Sequence, residues 1–135
     1  MAYLGKSYKF VKSENMDKLL EHFDVPADKI QALVNTKPTQ KLEKSGDGYV
    51  LTTIESPTLT KELKFKEGVE FDEKITDDIV AKTTFSIAGD VVTQVQKFGD
   101  GRVVTIKRKY NGDELVVDIT VSTWDGLAHR YYSAA

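Results

Sequence analysis

The segment RVVTIKRKYNGDELVVDITVST, residues 102–123, contains two runs of alternating side chains on either side of a glycine turn. Successive side chains of a strand point to opposite faces, so each run divides into an apolar face and a polar face. The dipeptide Asn111-Gly112 tolerates the positive φ angles that a type I′ hairpin requires. The segment therefore predicts an antiparallel hairpin. Its predicted inward residues are Val104, Ile106, Arg108, Tyr110, Leu115, Val117, Ile119 and Val121.

The rest of the chain after Pro38 repeats this pattern. Short runs rich in Val, Ile, Thr, Phe and Tyr alternate with turn residues such as SGDG (45–48) and Asp125-Gly126. With a further strand at Tyr8–Lys12, about ten strands are expected, and consecutive hairpins imply a meander. A long meander can curl until no edge is left unpaired. We predict an all-β fold, a ten-stranded antiparallel up-and-down β-barrel of the clam type.

Between Glu14 and Thr36 the spacing changes to a helical one. Apolar residues recur at i, i+3, i+4 and i+7, and a second short group follows. Pro26 suits the first turn of the second helix, because its missing N–H would have no partner there. We expect a helix-turn-helix that caps the barrel. Its apolar residues are Met16, Leu19, Leu20, Phe23, Ile30, Leu33 and Val34.

The size and composition narrow the class of protein. A chain of 135 residues fits a single domain, residues 1–135, and its formal net charge of -2 makes nucleic acid an unexpected partner. It has no cysteine, which suits a reducing compartment, and no stretch of apolar residues long enough to span a membrane. We expect a soluble cytoplasmic protein without a cleaved leader.

Polar residues are expected on the inner face of several strands. In the last strand Arg130 and Tyr132 share the face of Ala128, and Gln40 alternates inward with Leu42. The run 91–98 stays open, because either face could be the inner one. One face carries Val92, Gln94, Gln96 and Phe98, and the other carries Val91, Thr93, Val95 and Lys97.

Burying a guanidinium costs several kcal/mol unless the charge is compensated. An internal Arg108 and Arg130 therefore need a counter-charge, water or an anionic ligand. The alternatives are that the arginines extend to the rim of the barrel, or that they pair with an internal carboxylate such as Glu73.

Several motifs occur in a familiar order along nearly the whole chain. They are GKSYKFVKSENMDKLL (5–20), KPTQKLE (37–43), GVEFDE (68–73), VVTQVQKF (91–98), YNGDELVV (110–117) and RYY (130–132). In these motifs the chain resembles the intracellular lipid-binding proteins, and within that family it most resembles the insect fatty-acid-binding proteins. The pairing of GVEFDE with a terminal R-x-Y is specific to this family.

The resemblance implies a barrel with an internal, water-containing cavity for one or two lipids and a helical lid. It implies that Arg108, Arg130 and Tyr132 hold the ligand carboxylate, and KPTQK adds Gln40 as a further headgroup partner. The expected function is intracellular carriage of a long-chain fatty acid, without a cofactor and without catalysis. Two arginines favour a carboxylate over an alcohol, and retinoic acid also carries a carboxylate, so a retinoic acid carrier is the alternative. A monomer is expected, with transient membrane contact through the helices.

Other reactive groups give weaker signals. His22 lies on the predicted polar side of a helix and His129 faces outward, so neither is placed for acid-base catalysis. A metal site is not expected, because adjacent strand residues point to opposite faces. This argument applies to Asp77-Asp78 and to the acidic run Glu70, Asp72 and Glu73.

Overall fold

The computed structural model describes residues 2–75 and 78–135, which form ten antiparallel strands and two helices. Every strand pairs with its neighbour in sequence except across the break between β4 and β5, and β1 pairs with β10. The predicted ten-stranded meander with a helix pair after its first strand is confirmed. The strands are β1 (Ser7–Glu14), β2 (Thr39–Ser45), β3 (Gly48–Ser56), β4 (Leu59–Phe65), β5 (Phe71–Lys74), β6 (Val80–Ala88), β7 (Val91–Lys97), β8 (Val103–Asn111), β9 (Glu114–Val121) and β10 (Trp124–Ala134).

The sheet of described strands is open at one place. Within the described residues β4 and β5 are the two edges of the sheet, and no strand pairing joins them. The expectation that no edge would stay unpaired is therefore wrong. Aromatic side chains fill part of the separation instead: Phe65 of β4 stacks on Phe85 of β6 with ring centroids 3.8 Å apart, and Phe71 of β5 lies 6.2 Å from Phe85.

The two helices are α1 (Met16–His22) and α2 (Ala27–Val34). Pro26 lies one residue before α2, not inside its first turn, and its carbonyl accepts hydrogen bonds from the N–H groups of Lys29 and Ile30, both at 3.0 Å. Leu19 of α1 and Ile30 of α2 are buried, so each helix turns one apolar side inward. Among residues 2–75 and 78–135, neither helix is long and apolar enough to cross a membrane.

The turn between β8 and β9 differs from the predicted type. Asn111 pairs with Glu114, so the two loop residues are Gly112 and Asp113. Of these, Gly112 alone has a positive φ, 61°. A positive φ at the first loop position indicates a type II′ turn instead of type I′, because the strand pairing extends one residue further than the sequence suggested.

The predicted faces of β8 and β9 are confirmed. Buried residues of the predicted inner face are Val104, Arg108 and Tyr110 in β8 and Leu115, Val117, Ile119 and Val121 in β9. The open question for β7 is settled as well. Gln94 and Gln96 are buried together with Val92, so two amide side chains lie inside the barrel.

A bulge in β1 changes which residues face inward. Phe10 pairs with Tyr132 and Lys12 with Tyr131, which leaves Val11 as the extra residue. Strict alternation from Tyr8 and Phe10 would have placed Lys12 inside. The bulge instead keeps Lys12 outside, with its Nζ 5.0 Å from the centroid of the Tyr131 ring.

Candidate functional site

All four residues predicted to bind ligand line one internal cavity of about 290 Å³. Gln40 comes from β2, Arg108 from β8, and Arg130 and Tyr132 from β10, so the sheet brings together residues that are far apart in sequence. Side chains of the two helices and of β8 and β9 complete the apolar part of the wall. They include Met16, Leu20, Leu33, Val34, Ile106, Val117 and Ile119.

Arg108 is the more deeply held of the two arginines, with 8% of the residue exposed. Its Nη1 donates to Gln94 Oε1 at 2.9 Å and its Nε donates to Gln40 Oε1 at 3.3 Å. Burial lowers the pKa of the Arg108 guanidinium, and the charge of Glu73 is among the influences that raise it again. The guanidinium stays protonated in proteins, so a full positive charge lies inside the barrel.

Arg130 is held differently. Its guanidinium lies 4.8 Å from the centroid of the Phe10 ring and 5.8 Å from that of Tyr132, which are distances for cation–π contact. Its Nε is buried and has no hydrogen-bond acceptor from the described part of the chain. A buried donor without an acceptor is costly, so this side chain is set up to bind an acceptor that the described residues do not supply.

Glu73 carries a negative charge at the other side of the same interior. Its Oε1 accepts hydrogen bonds from Thr83 Oγ1 at 2.8 Å, Gln94 Nε2 at 2.9 Å and Gln96 Nε2 at 3.0 Å. The sequence reasoning raised Glu73 as a direct partner of an arginine. The structure places Gln94 between Glu73 and Arg108 instead, because its amide can accept from one and donate to the other.

Further residues line the cavity that sequence reasoning did not identify. Ser13 pairs with Arg130 across β1 and β10 and points into the same cavity. Its position depends on the bulge at Val11, for which the sequence offers no distinct signal. Glu55 of β3 also lines the cavity and forms an ion pair with Lys61 at 3.4 Å, near the edge of the sheet.

The internal space continues beyond the arginines. A cavity of about 580 Å³ follows the separation between β4 and β5, where Leu63, Phe71 and Glu73 line it. Another of about 700 Å³ lies beneath α1, against Leu19 and Phe98. All three cavities share Ile106 as a wall residue, so they border one another and fall in the size range of small-molecule sites.

The histidines lie outside these cavities. His22 is half-buried, with its Nε2 2.8 Å from Thr123 Oγ1 and its ring stacked against Trp124, so it fastens α1 to the barrel as well as facing solvent. His129 Nδ1 lies 2.6 Å from Asp118 Oδ1 on the outer face. Within the described ranges no group of three or more His, Asp or Glu side chains is arranged to hold a metal ion. Asp77 of the Asp77-Asp78 pair lies outside those ranges.

Such a site can hold an amphiphile with one negative charge. Cationic donors at one place and apolar walls elsewhere fit a carboxylate attached to a long hydrocarbon tail. An uncharged hydrocarbon would leave Arg130 Nε without an acceptor, whereas a highly charged solute would gain nothing from the apolar walls.

Known proteins resemble the chain over almost all of its residues. It is 50% identical over 134 residues to fatty acid-binding protein 2 of Manduca sexta, covering 99% of this chain and all of that one. Fatty acid-binding protein 1 of the same species is 45% identical over the same share of the chain. No protein-family model matches the sequence.

Solved structures show the same arrangement of strands. The fatty-acid-binding protein isolated from Manduca sexta superposes with a TM-score of 0.87 at 50% identity, covering 98% of this chain and 99% of that one. A Schistosoma mansoni fatty acid binding protein in complex with arachidonic acid gives a TM-score of 0.87 at 27% identity, covering 99% of this chain and 96% of that one.

Proposed function

The chain belongs to the fatty-acid-binding protein family, and we propose that it is an intracellular carrier that holds a long-chain fatty acid inside its barrel. The observation that carries this proposal is the buried Nε of Arg130, a cationic donor that finds no acceptor among the described residues and lies at a cavity with many apolar side chains in its wall. A carboxylate supplies the missing acceptor and the missing counter-charge together. The relatives named above are fatty acid-binding proteins, which supports a carrier and not an enzyme.

In this proposal the carboxylate lies between Arg108, Arg130 and Tyr132. The planar guanidinium presents several donors in a fixed geometry that matches the two oxygens of a carboxylate. Tyr132 is buried beside Arg130 and brings a hydroxyl to the same cavity. Gln40 already accepts a hydrogen bond from Arg108, so it orients that arginine and is available as a further headgroup partner.

The tail supplies most of the affinity. Each buried CH₂ is worth ~0.8 kcal/mol, so a long acyl chain contributes on the order of 10 kcal/mol before the cost of ordering it. Apolar residues of the helices and of β8 and β9 line the cavity that would receive it. The arginines then decide which end of the ligand points inward.

The first test identifies the ligand. Protein purified under native conditions is denatured and extracted into organic solvent, and the extract is analysed by mass spectrometry. Long-chain fatty acids at close to stoichiometric amounts are expected. Retinoic acid in their place would support the retinoid alternative, whose carboxylate the same two arginines fit. If the extract contains neither fatty acid nor retinoic acid, and the delipidated protein binds neither when they are added back, both carrier functions are contradicted.

The second test concerns the headgroup. Arg130→Gln should weaken fatty-acid binding by roughly 1.5–3 kcal/mol, the range for a hydrogen bond to a charged group. The alcohol of the same chain length should bind both proteins equally, because it brings no charge. Lys107→Gln is the matched control, since Lys107 is an exposed basic residue on the outer face of β8. Equal losses for the two variants would contradict the proposed headgroup site.

We further propose that the carrier works in the cytoplasm as a monomeric single domain and meets membranes only briefly. Leu33 of α2 and Ile79, beside the start of β6, are exposed apolar residues next to the cavities, and Lys18 and Lys29 accompany them on the helices. Acidic residues on the same helices limit the attraction to anionic lipid. Transfer of a fluorescent fatty acid to vesicles should therefore quicken modestly with anionic lipid and slow with salt. Rates that ignore both would indicate diffusion through water.

A further inference from the structure

Glu73 lies on β5, a short edge strand that pairs only with β6 among the described strands. Its carboxylate nevertheless reaches two strands further into the barrel. Oε1 accepts hydrogen bonds from Thr83 of β6 and from Gln94 and Gln96 of β7, at 2.8–3.0 Å. These three hydrogen bonds hold the carboxylate against the inner face of β6 and β7.

Gln94 connects this carboxylate to Arg108. Its Nε2 donates to Glu73 at 2.9 Å, and its Oε1 accepts from Arg108 Nη1 at 2.9 Å. Rotating the amide by half a turn would put an NH₂ group against the guanidinium and a carbonyl against the carboxylate, and both contacts would be repulsive. The two charges therefore fix the orientation of Gln94, and each hydrogen bond strengthens the other.

We propose that Glu73, acting through Gln94, is the internal counter-charge of Arg108 in the empty barrel. An incoming carboxylate takes over this role, and the negative charge of Glu73 limits the affinity of the barrel for that carboxylate. This inference rests on the proposed function, because it concerns the same headgroup site. Glu73 would be a residue that sets specificity without touching the ligand.

The direction of the effect follows from the charges. Before binding, Glu73 stabilises the charge of the arginine that the ligand needs, and after binding it repels the ligand carboxylate across the interior of the barrel. Replacing Glu73 by a neutral side chain of the same shape removes both the stabilisation of the empty site and the repulsion of the bound ligand, so the carboxylate should bind more tightly. At an effective dielectric constant near 20, a unit charge about 12 Å away, on the far side of Gln94 and Arg108 from the ligand, changes affinity by about tenfold. A ligand without a charge is not affected.

Titration of oleic acid and oleyl alcohol into wild type and Glu73→Gln tests the proposal. We expect the variant to bind the acid about tenfold more tightly and the alcohol with unchanged affinity. Asp72→Asn is the control, because this substitution removes the same charge from the neighbouring residue of β5. Asp72 points outward and forms an ion pair with Lys82. An equal gain in the control would show an effect of net charge alone and would overturn the proposal, as would unchanged or weaker acid binding in Glu73→Gln.

A measurement on the wild-type protein keeps the proposal testable if the variant does not fold. The side-chain ¹⁵N–H₂ resonances of Gln94 should shift when oleic acid binds and should shift much less with oleyl alcohol. Equal shifts with both ligands would contradict the proposal that the ligand carboxylate replaces Glu73 as the counter-charge of Arg108. Failure of the wild type to bind oleic acid at all would instead contradict the proposed function. If the wild type binds oleic acid, Arg130→Gln binds it more weakly, and Glu73→Gln shows no gain in affinity, the proposed function holds and the role of Glu73 is contradicted.

Discussion

The two ends of the barrel differ in whether their inward-facing polar groups have hydrogen-bond partners. At the end away from the helices, Tyr3 stacks on Tyr110 with ring centroids 4.1 Å apart, and Tyr8 packs against the same ring at 5.3 Å. The Tyr3 hydroxyl donates to the carbonyl of Gly89 at 2.9 Å and the Tyr8 hydroxyl to that of Gly112 at 3.0 Å. Toward the helices the interior holds cavities, and Arg130 has a buried donor for which residues 2–75 and 78–135 supply no acceptor.

The difference teaches what turns an inward-facing polar residue into a packing residue or a binding residue. Near the tyrosines, turn carbonyls are within reach, so each of these two hydroxyls has a partner and its ring fills space. Around Arg108 the hydrogen-bond partners are side chains of other strands, namely Gln40 and Gln94, and Gln94 in turn donates to Glu73. Their hydrogen bonds form a network that still lacks an acceptor, and a ligand can complete it.

Removing an aromatic ring from the end away from the helices, here called the closed end, should have the largest effect. Phe85 lies near the end of β6, shortly before the Gly89 turn of this end. Phe85 is fully buried and stacks on Phe65 at 3.8 Å. Phe85→Ala should lower the free energy of unfolding by about 3–5 kcal/mol, since it loses a large side chain and leaves a cavity. Urea denaturation measures this. Val11→Ala, at an exposed bulge residue, is the control and should change stability by less than about 0.5 kcal/mol. Similar losses in both would contradict the picture of a packed closed end.

High pH should loosen the closed end next. Burial raises the pKa of Tyr110 from 10.0 to about 12. Below pH 10 the hydroxyl keeps its proton in both folded and unfolded states. Between pH 10 and 12 the unfolded chain loses its proton first, so stability should fall by about 2–3 kcal/mol from this group. Denaturation midpoints across that range check it, and Tyr110→Phe should remove much of the slope. An unchanged slope in the variant would rule out Tyr110 as the cause.

The helices should matter for exchange more than for folding. Replacing residues 14–36 by a short Gly/Ser linker should leave a cooperative β-rich fold, because the strands pair among themselves and each helix turns only one side inward. Ligand release should become faster, on the order of tenfold, since the helices whose side chains line the cavity are gone. Circular dichroism and stopped-flow release measure the two properties. Loss of folding would show that the helices are part of the core and not a lid.

The smallest effect is expected for the stability of the empty barrel when Arg130 is replaced. Arg130→Gln removes a charged side chain whose buried Nε has no acceptor in the described part of the protein, so the ligand-free protein should be as stable as wild type or up to about 1 kcal/mol more stable. Urea denaturation of delipidated protein checks it. A clear loss of stability would mean that the contacts of Arg130 with Phe10 and Tyr132 outweigh its desolvation cost.

Much of this molecule could be predicted from its sequence, because the main signals are local. Alternation in residues 102–123 placed Arg108 inside, and the same alternation in the last strand grouped Arg130 with Tyr132. The helical spacing after Glu14 gave the helix pair within a residue or two of its bounds. These predictions need only the geometry of one strand or one helix, which the neighbouring residues determine.

Contacts between distant residues decided the rest. The bulge at Val11 keeps Lys12 out and turns Ser13 toward Arg130, because β1 must stay in register with β10 from the far end of the chain. The inner face of β7 depended on pairing with β6 and β8, and only that pairing placed Gln94 between Arg108 and Glu73. The open edge between β4 and β5 likewise depends on whether aromatic rings or backbone groups fill the space. The sequence determined which side chains are available to each face, and the tertiary structure determined which of them meet, because register and closure are properties of whole sheets.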